Sequence, residues 1–300
     1  MKQHNFKEWV ATTRYWSFPV SAMPVVATFA YLISVRMLPV EWRSLAVFVL
    51  ALSGVVILHA AGNLLSDWAD FRSGVDNEHA FSVPNLVFGH FRPEEYLRLS
   101  VVLFAIGCLC GVGVVLLSGP VILLIGGAGV LLTVLYSFLK YHALGDLDVF
   151  LIFGVLTVLG SSAAVCREVV WDALVLSVPL GIITFSVLHA NNTVDTDSDG
   201  KAGIKTFAML IGGNASSILY CAYMILPFVS VAVSVIFGWL HPLALLCLPA
   251  AVLAWKNVKQ ASAFKQKGME AMKGLDLGSA RLQLVFSGLL SIGLLVAGLL

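Results

Sequence analysis

A chain of 300 residues with 59% hydrophobic and only 12% charged positions, and a mean hydropathy of +0.93, is too apolar for a water-soluble domain, where about a quarter of residues carry charge. A net charge of +1 leaves no basic stripe to neutralise phosphates along a duplex, which excludes a nucleic-acid partner. The five cysteines (Cys108, Cys110, Cys166, Cys221 and Cys247) are scattered through apolar sequence without zinc-ligand spacing, and read as small buried hydrophobes rather than disulfides.

The first 17 residues are polar and mixed and lack a signal-peptide pattern, so the first apolar run is expected to be retained as a span. With about 20 apolar residues needed per crossing, nine spans are expected near 18–38, 44–66, 97–118, 120–139, 147–166, 173–192, 213–238, 241–257 and 280–300. An N-terminus on the cytoplasmic side places only Arg36, Arg43 and Arg167 of the 18 basic residues outside, as the positive-inside bias requires. The expected architecture is an all-α polytopic membrane helix bundle, one integral-membrane domain over residues 1–300, around a central cavity. The five lysines between 256 and 278 suit an anionic membrane surface.

Two acid-rich windows stand at the ends of the second and sixth spans, both on the cytoplasmic side. The first runs Asn63-Leu-Leu-Ser-Asp67-Trp-Ala-Asp70, followed by Arg72 and Asp76. The second runs Asn191-Asn192-Thr-Val-Asp195-Thr-Asp197-Ser-Asp199, followed by Lys201 and Lys205. Carboxylates at a bilayer edge are costly unless they face a cavity, a partner or a metal, and acids three and four apart share one helix face. Magnesium prefers carboxylate oxygens and completes its shell with water and substrate phosphates. Two facing clusters therefore suit two such ions bridged by a diphosphate, with Asn63, Asn191 and Asn192 orienting carboxylates and Arg72, Lys140, Lys201 and Lys205 binding phosphate. Asp197, two residues from each neighbour, is expected to face solvent. A secondary transporter is the alternative of another class, since intramembrane acids occur there too.

These motifs resemble those of the UbiA superfamily of intramembrane prenyltransferases: Asn63, Asp67, Asp70 and Asp76 match the first, and Asn191, Asn192, Asp195 and Asp199, with the following Lys-Ala-Gly-Ile-Lys-Thr, match the second. Tyr136-Ser-Phe-Leu-Lys140 resembles the family's Tyr-x-x-x-Lys, and Leu144-Gly-Asp146-Leu-Asp-Val-Phe150 the segment opening its fifth helix. The resemblance implies Mg²⁺ dependence, with Asp67 and Asp70 holding one ion and Asp195 and Asp199 the other. Lys140, Arg72 and Lys201 would meet the diphosphate, with Tyr136 nearby. The substrates implied are a prenyl diphosphate and an aromatic acceptor; no obligatory protein partner is implied, and the setting is the cytoplasmic (inner) membrane, site facing the cytoplasm. The two acid runs and Arg14-Tyr-Trp-Ser-Phe-Pro-Val-Ser-Ala-Met-Pro24 are most similar to the 1,4-dihydroxy-2-naphthoate branch of menaquinone synthesis, where prenylation is followed by loss of CO₂. The sequence departs at Ser66, where a second Asn is usual, and at Asp146, where Glu is common. Another phenol (4-hydroxybenzoate, homogentisate) or a lipid acceptor is the alternative. Trp68, Phe71, Tyr136, Phe138 and Phe150 are candidate rings for shielding an allylic cation, although for any one of them bundle packing or an interface belt is the favoured reading. His59 and His189 each precede an Asn on a cavity-facing helix; a lone His in an apolar helix reads as an interhelical hydrogen-bonder, with acceptor binding or proton removal as the alternative.

Overall fold

The computed structural model describes residues 4–39, 41–75 and 85–300. Among these the chain is helical, and its one β-bridge joins His142 to Lys205. Nine helices among the described residues are long and apolar enough to cross a membrane: Tyr15–Ser34, Trp42–Ser73, Pro93–Ser118, Val121–Tyr141, Gly145–Cys166, Trp171–Val194, Gly213–Ile236, Pro242–Ala271 and Leu275–Leu299. They are numbered first to ninth below.

The second helix is longer than its apolar stretch. Its 32 residues, at 1.5 Å each, make a rod of about 48 Å against a hydrocarbon core of about 30 Å. Asp67, Asp70 and Arg72 therefore ride on helix, not on a loop. The helix stops at Gly74 (φ 75°), whose left-handed backbone lets Val75 N–H reach the Asp70 carbonyl at 2.9 Å. At the opposite end of the bundle the buried Arg43 donates to the carbonyl oxygens of Leu117, Ala164 and Val165 and pairs with Glu41. One guanidinium thus ties the second helix to the ends of the third and fifth.

Small residues set the closest helix contacts. A Cβ at Gly154 would stand 3.1 Å from Gly181 Cα, so the fifth and sixth helices meet backbone to backbone. A Cβ at Gly293 would lie 2.0 Å from the Leu243 carbonyl oxygen, which seats the ninth helix directly on the eighth. The fifth helix is not regular: Phe150–Leu156 is a π-helical run, with the Thr157 hydroxyl donating to Ile152 O at 2.8 Å. The wider turn brings Ile152 and Phe153 to the central cavity. The eighth crossing continues past the expected residue 257 because 3₁₀ and α turns follow one another from Pro242 to Ala271. Of the five free cysteines only Cys247 is buried; Cys108 lies on the outer face of the third helix, so the expectation of burial holds for one.

Candidate active site

The two acid windows meet around one lysine. Asp67 and Asp70 lie one turn apart near the end of the second helix. Asp195 follows the last residue of the sixth helix, and Asp199 sits, 2% exposed, on the short helix Thr196–Lys201. Between the windows comes Lys140, from the end of the fourth helix, with Nζ 3.0 Å from Asp70 Oδ2. Tyr141, the next residue, donates its hydroxyl to Asp70 Oδ1 at 2.6 Å. Burial pushes the Asp199 carboxyl up to about 6; nearby Lys140 opposes the rise, and the like charges of Asp195 and Asp70 add to it. That mutual influence puts Asp70 and Asp199, from the two halves of the chain, within electrostatic reach of one ammonium.

Arg14 closes the other side. It opens a single 3₁₀ turn, Tyr15–Ser17, from a left-handed backbone (φ 55°) and ion-pairs with Asp67. Below these charges lies a cavity lined by Arg14, Asn63, Ser66, Tyr136, Asn191 and Phe153, among others. His59 is fixed in its wall, with Nδ1 3.0 Å from Ser21 Oγ and Nε2 3.4 Å from Ser17 Oγ. Asn63 is anchored through Nδ2 to the Thr13 carbonyl at 2.9 Å.

An apolar tunnel adjoins this cavity, and His59, Thr133, Ile152 and Phe153 line both. Its walls include six glycines: Gly54, Gly107, Gly111, Gly126, Gly129 and Gly160. A polar chamber rich in acid and base at one end of the bundle, continuous with a glycine-walled apolar bore, suits an amphiphile with an anionic head.

The chain matches the UbiA prenyltransferase family over residues 16–272. It belongs to that family. It is 34% identical over 243 residues to UbiA prenyltransferase domain-containing protein 1 of Xenopus tropicalis, covering 76% of this chain and 67% of that protein. To the Homo sapiens protein of the same name it is 36% identical over 229 residues, covering 73% and 65%. The fold matches an apo UbiA homolog from Aeropyrum pernix K1 with a TM-score of 0.64 at 18% identity, over 98% of this chain and 99% of the other. It also matches a UbiA homolog from Archaeoglobus fulgidus bound to GPP and Mg²⁺, with a TM-score of 0.63 at 13% identity, over 96% and 99%.

In this UbiA chain the residues singled out from sequence separate into three groups. Asp67, Asp70, Asp195, Asp199 and Lys140 converge, and Asn63, Tyr136 and Asn191 line the cavity beside them. Arg72, Lys201, Lys205 and Asp197 are exposed, with Arg72 lying 5.6 Å over the Trp68 ring. The third group, Asn192 and Asp146, is buried but turned away from the cavity and hydrogen-bonded together at 3.1 Å. Asn191 and Asn192, as neighbours on a helix, face about 100° apart, so only one reaches the chamber. Asp76 lies outside the described residues.

The aromatic wall of the chamber is built mostly from rings other than the candidates named from sequence. Of the five rings named from sequence only Tyr136 lines the chamber; Trp68 and Phe71 pack against Leu64 and Tyr96, Phe138 is exposed, and Phe150 lines a different cavity. Trp16 and Phe153 take the wall instead. His59 lines the chamber, whereas His189 faces Asp146 and lies 3.2 Å from the Ser216 carbonyl oxygen of another helix. Sequence reasoning also missed Arg14 and Tyr141 as members of the charge cluster. Arg14 had one signal, an arginine just ahead of an apolar run; Tyr141 had only its place after Lys140.

The donor set fits a divalent cation. Asp199 Oδ2 is buried with no hydrogen-bond partner, an anionic acceptor that a cation would satisfy. All four acids offer hard oxygens. Among the described residues no three acid, histidine or cysteine side chains enclose an ion by themselves, so water and substrate phosphate must complete any shell.

Proposed function

We propose that this chain transfers a prenyl group from a prenyl diphosphate to an electron-rich aromatic ring, with Mg²⁺ held by Asp67 and Asp70 on one side and Asp195 and Asp199 on the other. The observation that carries this reading is the meeting of both acid windows around Lys140 at the head of an apolar tunnel. The ions supply Lewis-acid neutralisation of the diphosphate charge.

The chain's own groups account for the rest. Lys140 and Arg14, each already resting on a window acid, are placed to hold phosphate oxygens. The allylic C–O bond breaks, its electron pair leaving with the diphosphate, and a ring carbon forms the new C–C bond to the freed carbon. The ring then loses a proton, or CO₂ if the attacked carbon bears a carboxylate. His59 and Phe153, at the collar common to chamber and tunnel, flank the allylic carbon, where the Phe153 face stabilises positive charge and both exclude water. Tyr136 and Asn191 line the wall where the acceptor ring would lie.

For the acceptor, 1,4-dihydroxy-2-naphthoate remains the first to test, on the similarity of the acid runs. The relatives above are named for their domain, not for an acceptor, and Ser66 lines the chamber where that branch usually carries an Asn. A transporter reading would need its acids near the middle of the bundle; here both windows stand at one end. We place that end on the cytoplasmic side from the distribution of Lys and Arg.

The test is turnover by purified protein in lipid, supplied with a long prenyl diphosphate and a panel of 1,4-dihydroxy-2-naphthoate, 4-hydroxybenzoate and homogentisate, with Mg²⁺ or EDTA. Mg²⁺-dependent prenylation of one acceptor, abolished in Asp67→Ala and Asp195→Ala, is the expected outcome. Diphosphate release with no prenylated aromatic from any acceptor would overturn the aromatic assignment.

A further inference from the structure

Three residues of the second helix, His59, Asn63 and Asp67, stand at four-residue steps and so share one face. All three grip the stretch of chain that leads into the first helix. His59 Nδ1 lies 3.0 Å from Ser21 Oγ, Asn63 Nδ2 donates to the Thr13 carbonyl at 2.9 Å, and Asp67 pairs with Arg14. The second helix thus holds Thr13 by its backbone and, one turn farther along, holds the next residue by its side chain.

That grip matters because of the backbone at Arg14. Its φ of 55° and ψ of 46° are left-handed, a conformation that crowds the Cβ of any residue but glycine and persists only where the surroundings impose it. The carbonyls on both sides of the bend are tied down. Arg14 O accepts from the Ser17 N–H and from Ser17 Oγ, each at 2.8 Å, while Thr13 O accepts from Asn63. The Ser17 bonds are local to the 3₁₀ turn. The Asn63 bond is different, because it fastens the bend to the helix that carries Asp67 and Asp70.

The donors of Asn63 are spent on this task. A side-chain amide has two N–H bonds; one meets Thr13 O, and Ser17 Oγ, 3.5 Å from Nδ2, stands where it takes the other. What remains is a carbonyl oxygen, which phosphate and carboxylate oxygens repel. Although Asn63 lines the chamber, it has no donor left to offer a diphosphate or a neighbouring acid. The backbone grip also outlasts the side-chain one. Once Asp67 is engaged with Mg²⁺, its pull on the guanidinium weakens, whereas the bond to Thr13 O is untouched.

We propose that Asn63 is a positioning residue: it clamps the Thr13–Arg14 bend to the second helix and so keeps the Arg14 guanidinium over the chamber, where it meets the diphosphate. The inference rests on the role of Arg14 proposed above.

The experiment reads binding and needs no turnover. The full chain in nanodiscs is titrated calorimetrically with inorganic pyrophosphate in the presence of Mg²⁺. Asn63→Ala is expected to weaken binding about tenfold, the size of one hydrogen bond to a charged group. In an Arg14→Ala background the same change should cost less than about twofold, because the group it positions is gone. Guanidinium ion added to Arg14→Ala should restore affinity equally with Asn or Ala at position 63, since a free ion needs no bend. Asn63→Asp keeps the size without the donor and leaves no cavity, so it serves if the alanine variant does not fold; it should lose affinity as the alanine variant does.

Equal losses from Asn63→Ala in both backgrounds would overturn the proposal, as a direct ligand or a general loosening of the fold would give that result. Full affinity in Asn63→Asp would also overturn it, because a carboxylate can hold a cation but cannot donate to the Thr13 carbonyl. Pyrophosphate that fails to bind the unaltered protein would instead overturn the chamber as a diphosphate site, and this inference with it.

Discussion

Asp70 accepts from both Lys140 and Tyr141 while only 4% exposed. Removing one donor from a buried carboxylate loosens it without deleting its charge. Tyr141→Phe is therefore expected to lower kcat/KM about tenfold, one charge-assisted hydrogen bond's worth, and to raise the Mg²⁺ needed for half-maximal rate. An unchanged Mg²⁺ titration would show that Tyr141 does not position Asp70. Arg14 makes a sharper comparison with its replacement. Arg14→Lys keeps the charge but not the planar fork, so it should retain part of the activity that Arg14→Ala loses, in steady-state turnover at saturating Mg²⁺. Exposed Lys201 and Lys205 offer a contrast, since Ala at either should shift turnover less than Arg14→Ala does.

On the scale of single elements, the fifth helix matters most, because its π run brings Phe153 to the collar between chamber and tunnel. Phe153→Ala opens that collar to water. The expected signature is a changed partition, with more free prenyl alcohol per prenylated acceptor, read by chromatography of both products; a purely structural role would lower both together. The fourth helix carries the complementary test. Gly126 and Gly129 line the tunnel, and a Cβ at either would meet nothing within 4 Å. Gly126→Leu should therefore fold, and by filling the bore should shorten the longest prenyl diphosphate accepted, with little change for a short one. Gly107 lines the same tunnel, but a Cβ there would lie 2.6 Å from Leu58, so a bulky residue would strain the second and third helices.

For the whole molecule, the site is distant from much of what holds the bundle together. The ninth helix brings Asp276, in its first turn, within electrostatic reach of Arg14, and farther along it is seated on the eighth through Gly293. A methyl group at 2.0 Å from a carbonyl oxygen cannot be absorbed by side-chain adjustment, so Gly293→Ala should force the two helices apart. The expected outcome is a clearly lower Tm of the purified protein in detergent, by several degrees, from about 1–3 kcal/mol of overpacking. An unchanged Tm would mean that the helices do not meet there.

The chain's apolar periodicity and charge determined the class of the protein by themselves, because a bilayer admits helical spans of one length and penalises every stray charge. Nine crossings and two acid windows at their ends were legible for that reason, and so was the match of Lys140 to those windows through the family motif. Helix ends were less legible: hydropathy ends the second span near residue 66, whereas the backbone hydrogen bonds run on through the acids to Gly74. Side-chain direction was decided only by tertiary structure. Asn191 and Asn192 are chemically the same, as are His59 and His189, yet one of each pair reaches the chamber and the other joins Asp146. The same holds for Phe150 and Phe153, separated by a π turn that no local pattern announces. Which face of a helix a residue occupies depends on how that helix is rotated by packing against its neighbours, here through contacts as specific as Gly154 on Gly181, and those contacts join residues far apart in sequence.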